Sequence, residues 1–216
     1  MMKKLGILHV SDIHIDALSI TEVDIIVGKL LKDIKRVESE NGIQIDLICF
    51  AGDLIGRGEG ALENENQITL AEEHFIQPLL SATGLTTEEF ILIPGNHEVD
   101  TTKIAKVTEN GLVALSSLKD INETIFEMED EYKRRLQYFY DYMYKNYIKG
   151  AEPWNLGYSL IKNINGINVG IAGLDSAWRS TGAGWKERGH LLVGEHQVGV
   201  LYNNIKDADL KICLMH

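Results

Sequence analysis

Short, continuously apolar runs alternate with longer stretches of helical spacing through the first half of the chain. Leu5–Val10, Asp46–Phe50 and Phe90–Ile93 are rich in Ile, Leu, Val and Phe and read as strands. Between them, apolar residues recur every three or four positions. The first such stretch predicts a helix from an N-cap at Ser19 to about Ser39, with Val23, Ile26, Val27, Leu30, Leu31 and Ile34 on its apolar stripe. A second helix is expected over much of Asn66 to Leu80. Strand and helix in alternation, with strands apolar throughout, predict parallel strands buried on both faces and joined by crossover helices.

The pattern then changes. Thr101 to Tyr147 is long, charged and Tyr-rich with helical periodicity, and 101–150 is expected to form a helical insertion within a domain spanning 1–216. Its stripe of Leu136, Phe139, Tyr140, Met143 and Tyr147 suits helix–sheet core better than a ligand cage. After Pro153 come Tyr158–Ile164 and Ile167–Leu174, joined by Asn165-Gly166, a strong hairpin signal. A helix over Glu195 to Ile205 and a strand over Leu210–Met215 complete the pattern. Parallel units followed by a hairpin predict an α/β fold of two stacked mixed β-sheets flanked by helices.

The length of 216 residues, 44% of them hydrophobic, suits one domain carrying an inserted segment. The formal net charge of -11 disfavours a broad surface that grips nucleic acid, whose binding energy comes from clustered Lys and Arg. A nuclease whose cations do the binding stays possible, and part of the acidity can belong to carboxylates that hold metal. Cys49 and Cys213 each lie in an apolar run and read as buried, inert thiols, in keeping with a reducing cytoplasm. No run approaches the ~20 apolar residues of a membrane span.

Candidate chemistry gathers at strand ends. ILHVSDIHID places Asp12 and His14 two apart, on one side of an extended backbone. LICFAGDLIGRG delivers Asp53 after Gly52, FILIPGNHEVD offers Asn96 and His97, and KICLMH ends on His216. Carboxyl ends of strands in open α/β sheets are where ligand sites assemble, so these loops are expected to share one cleft. Each signal alone is weak, but four in order are hard to attribute to accident. Carboxylate, amide and imidazole donors without thiolate suit divalent ions such as Mn, Fe or Zn better than an all-oxygen calcium site.

Asp12-x-His14, Gly52-Asp53, Gly95-Asn96-His97-Glu98 and the strand-final His216 together resemble the ordered motifs of the calcineurin-like metallophosphoesterases. The resemblance implies two packed sheets flanked by helices and a pair of metals at the strand ends. It implies Asp12 and His14 as ligands of the first metal, Asp53 as the bridge, and Asn96 and His216 as ligands of the second. His97 would lie beside the leaving group as a proton donor or a stabiliser of developing charge, with water activated between the ions as nucleophile. Arg57 matches an Arg that holds substrate phosphate in the protein phosphatase branch, although a solvated loop residue is the other reading. Gly56 stands where that branch carries an Asp, leaving the partner of His97 unassigned.

The family pattern adds a Gly-His-x-His loop downstream of the residue matching His216, so the domain is expected to be C-terminally incomplete, with further domains possible beyond it. The expected function is metal-dependent hydrolysis of a phosphomonoester or phosphodiester, the substrate being a phosphorylated small molecule or nucleotide, with the nucleotide type favoured. The alternatives are a catalytically inactive binding module and a nuclease. His9, His74, His190 and His196 read as structural, while Trp178 and Arg179 either line the cleft or form a surface loop with one packed indole.

Overall fold

The computed structural model describes residues 4–58, 60–105, 117–127, 129–154, 156–182 and 191–216. Three parallel strands, β1 (Ile7–Val10), β2 (Leu47–Ala51) and β3 (Phe90–Ile93), form one sheet in that order, with Ile7 opposite Leu47 and Ile48 opposite Phe90. β4 (Glu152–Trp154), β5 (Gly157–Ile164), β6 (Ile167–Leu174) and β7 (Leu210–Leu214) form the second. Its first three strands are antiparallel, and β7 joins β6 in parallel. This is the mixed, two-sheet architecture expected, with the short β4 added. Asn165 and Gly166 both take positive φ, 54° and 74°, which is the twist a two-residue hairpin requires.

The two sheets face each other. The Tyr158 hydroxyl of β5 donates to the Leu92 carbonyl of β3 at 2.8 Å, and Cys49, Ile91 and Ile93 are buried in the same core as Ile171. On the outer side of the first sheet lie α1 (Ile20–Asn41), α2 (Ala61–Ala71) and α3 (Gln77–Thr83), the last two linked through a wider turn at Glu72–Ile76. Phe75 of that turn meets Phe50 of β2 edge-to-face at 5.5 Å. On the outer side of the second sheet, α6 (Glu195–Ile205) buries Leu201 and Ile205 against Ala172 and Leu174. The helices α4 (Leu118–Glu127) and α5 (Glu129–Asn146) come between β3 and β4 in sequence.

Leu136, Phe139, Tyr140 and Met143 of α5, with Tyr147 just beyond it, are all buried in the main core. Tyr140 donates to Asp175 at 2.7 Å at the end of β6, and Tyr142 and Tyr147 both hydrogen-bond Glu72 on the opposite side. Of the stretch 101–150, residues 106–116 and 128 lie outside the described residues, as does His190. No helix among the described residues is long and apolar enough to cross a membrane.

Several local expectations are corrected. Ser19 occupies the N-cap of α1, but its hydroxyl caps no N–H of the helix. Ile26 is 54% exposed and leaves the stripe, whose buried residues are Val23, Val27 and Ile34, with Leu30 and Leu31 half-buried against the same core. β1 is not buried on both faces: it ends the sheet, and its Ile7 and His9 are exposed. Cys213 is exposed on β7, also an edge strand, whereas Cys49 is buried on the central β2.

Asp175 is fully buried, and burial pushes its carboxyl from 3.8 up to about 7 against the hydrogen bonds from Tyr140 and Ala177. The folded state therefore holds this proton more tightly than the unfolded chain, so the contribution of Asp175 is most favourable at low pH and declines as pH rises towards about 7. Denaturant titrations of wild type and Asp175→Asn are expected to show wild type losing ground to the variant across that range, with a constant difference above it.

Candidate metal centre

Hydrogen bonding between β1 and β2 continues past their carboxyl ends. The N–H groups of Asp12, His14 and Ile15 donate to the carbonyls of Gly52, Asp53 and Leu54 at 3.0, 3.1 and 3.0 Å. Here the backbone is not extended as expected: Asp12, His14 and Asp53 take φ of 57°, 50° and 58°. Left-handed backbone costs a non-glycine residue about 1–2 kcal/mol, and such residues concentrate at sites where the surroundings enforce them. The side chains converge all the same, with Asp12 Oδ1 and His14 Nε2 3.8 Å apart.

The loop after β3 closes on Asp53. A Cβ on Gly95 would stand 2.2 Å from Asp53 Oδ1, and one on Gly52, itself at φ 87°, would stand 2.7 Å from the Gly95 nitrogen. Only glycine permits this approach. Asp53 Oδ1 accepts the His97 N–H at 3.0 Å, and this fixes the carboxylate plane. Oδ2 is left facing three imidazoles: His216 Nε2 at 3.4 Å, His14 Nε2 at 3.8 Å and His97 Nε2 at 4.0 Å.

His216 reaches this point from the other sheet. Its Nδ1 is 2.8 Å from the Ala51 carbonyl, its Nε2 is 3.1 Å from Asn96 Oδ1, and its own carbonyl accepts the Ser176 hydroxyl at 2.6 Å. His97 Nδ1 hydrogen-bonds the Gly56 carbonyl, and its ring meets that of His14 edge-on at 4.4 Å. A main-chain carbonyl thus takes the place of the carboxylate partner that Gly56 leaves vacant. It fixes the proton on Nδ1, so Nε2 is the atom turned to the cleft. Gln67 of α2 steadies the same turn, accepting from the N–H of Gly56 at 2.8 Å and of Arg57 at 3.1 Å.

Electrostatics follow from this crowding. Burial pushes the Asp53 carboxyl up, but hydrogen bonds from His216 and from the His97 N–H, with the charge of both rings, leave it below its ordinary value. The His216 hydrogen bond to Asp53 outweighs burial and raises the imidazole to about 9. Burial, then the neighbouring His97, lowers His14.

The arrangement fits divalent cations. Two ligands with bonds of ~2.1 Å to one ion stand roughly 3–4 Å apart, the spacing of these nitrogens and oxygens. His14, His97 and Asp53 form one group with donor atoms within 4.8 Å of one another, and Asp12, Asp53 and His216 form a second that shares Asp53. Nδ1 of His14 is buried without a hydrogen-bond partner among the described residues, and its Nε2 stays 3.8 Å from both carboxylates, too far for a hydrogen bond.

The family model for calcineurin-like phosphoesterases matches residues 5–216. The chain belongs to that family. It is accordingly a metal-dependent hydrolase of phosphoester bonds, of a family that uses two metals. A search of curated proteins gave no match.

The structure of this phosphoesterase brings Asp12, His14, Asp53, Asn96, His97 and His216 together. Arg57 is exposed on the turn next to Gly56. Trp178 does not line a cleft: it is 0% exposed, donates to the Leu192 carbonyl at 2.7 Å and packs on Tyr132. Arg179 lies beside it, half-buried, 5.9 Å from the indole. Sequence reasoning gave no role to Gln67, Ser176 or Glu98. Only Glu98 carried a signal, its place in the Gly95-Asn96-His97-Glu98 run.

In the metal-free protein the raised His216 makes a contribution that is full below its ordinary 6.5 and lost as pH rises through about 9. Thermal unfolding in EDTA should show the stability gap between wild type and His216→Gln closing over that interval.

Proposed function

We propose that this phosphoesterase hydrolyses a small phosphorylated substrate, nucleotides included, at a pair of divalent cations shared through Asp53. The observation that carries the reading is the division of labour within the Asp53 carboxylate: Oδ1 is tied to the His97 N–H, and Oδ2 is turned toward His14, His97 and His216. An anion shared between two cations offsets their repulsion. Asp12 and His14, 3.8 Å apart, would hold one cation, and Asn96 and His216, 3.1 Å apart, the other; the donor chemistry suits Mn, Fe or Zn. When bound, the pair supplies Lewis-acid polarisation of the phosphate and of the attacking water.

The remaining steps belong to the protein. His97, oriented by the Gly56 carbonyl, presents Nε2 to the oxygen that departs from phosphorus and protonates it or stabilises its charge. Arg57, on the turn that Gln67 steadies, contacts substrate phosphate from the rim. The net charge of -11 favours a compact substrate over a polyanion that needs a wide basic surface.

Release of p-nitrophenol from mono- and bis-substituted phosphates in Mn2+ tests the reading. Asp53→Asn should lower the rate by at least about 100-fold, and equal rates for the two proteins would sink it. His97→Ala should cost about 100-fold or more on alkyl phosphates, whose leaving oxygen needs a proton, and much less on p-nitrophenyl esters. Equal losses on both would remove His97 from that role.

A further inference from the structure

Glu98 is 2% exposed, and its carboxylate accepts four main-chain N–H groups. Oε2 takes those of Asp53 at 2.9 Å and Gly95 at 2.5 Å, and Oε1 takes those of Leu54 at 2.7 Å and Ile55 at 3.0 Å. Asp53, Leu54 and Ile55 belong to the turn after β2, whereas Gly95 opens the turn after β3 that carries Asn96 and His97. Three successive N–H groups curling toward one point make an anion-binding concavity, and the left-handed Asp53 is part of that curl. The chain fills it with its own side chain.

Burial, then the charge of Asp53, pushes the Glu98 carboxyl up, and the N–H groups of Ile55, Gly95 and Asp53 oppose the shift. With four donors and no acceptor hydrogen-bonded to it among the described residues, the carboxylate is the form this geometry accommodates. Glu98 is not among the groups whose donor atoms surround Asp53 Oδ2.

We propose that Glu98 is the positioning residue of the metal centre, the brace that fixes Asp53 relative to Asn96 and His97 so that their donor atoms meet at cation spacing. The inference rests on the reading of these residues as cation ligands. Glu98→Gln replaces one accepting oxygen with an amide nitrogen that faces two N–H donors, so two of the four hydrogen bonds are lost and the link between the turns is loosened. Glu98→Asp keeps the charge but is shorter by one methylene, so it holds the two turns less closely than Glu and keeps all its acceptors, unlike Gln.

Calorimetric titration with Mn2+, performed below the unfolding transition with circular dichroism as a check on folding, tests this. Glu98→Gln should bind Mn2+ roughly 10–100-fold more weakly than wild type, and Glu98→Asp should fall between them. Should the Gln variant not fold, the Asp variant carries the test in the same direction. A folded variant that loses only melting temperature in EDTA and keeps wild-type Mn2+ affinity overturns the proposal. Binding abolished by Asp53→Asn yet intact in Glu98→Gln overturns this inference alone, whereas a wild type that binds no Mn2+ overturns the metal centre and the brace together.

Discussion

A carboxylate buried among imidazoles, as Asp53 is, holds its place only if the backbone that carries it is immobilised from several directions. Two strands deliver the turns, glycines at 52 and 95 let them touch, and Glu98 and Gln67 take up the N–H groups that a turn of this shape leaves unpaired. The left-handed φ at Asp12, His14 and Asp53 is the local cost of this arrangement, offset by hydrogen bonds that no extended loop would form.

The topology explains why the donors come from distant stretches of chain. Parallel strands point their carboxyl ends the same way, so the turns after β1, β2 and β3 open toward one edge of the first sheet. β7 runs parallel to β6 in the second sheet and brings His216 to the same edge, where Ala51 and Ser176 orient it. The site therefore straddles the two sheets, and the Tyr158–Leu92 hydrogen bond between them helps to set its width.

Much of this could be read from residue order. Apolar runs located six of the seven strands among the described residues, because buried strands leave continuous hydrophobic segments. β4 escaped because Glu152–Trp154 is short and contains a proline. The ligand types were legible from their positions after strands, but their backbone was not: extended geometry was the natural expectation for Asp12-x-His14, and the left-handed φ arises from pairing with the neighbouring turn. The partner of His97 was equally hidden, since a main-chain carbonyl has no letter of its own. Trp178 shows the converse, an indole beside polar residues whose burial against Tyr132 depends on a helix far away in sequence.

The tyrosines of α5 and its C-terminal flank have a mechanical consequence. Through Tyr140 this segment grips the end of the second sheet, and through Tyr142 and Tyr147 it grips Glu72 behind the first. Detaching it would strip the core of Leu136, Phe139 and Met143 and part the sheets whose separation aligns His216 with Asp53. The segment is thus a tie-beam between the two sheets whose turns meet at the cleft.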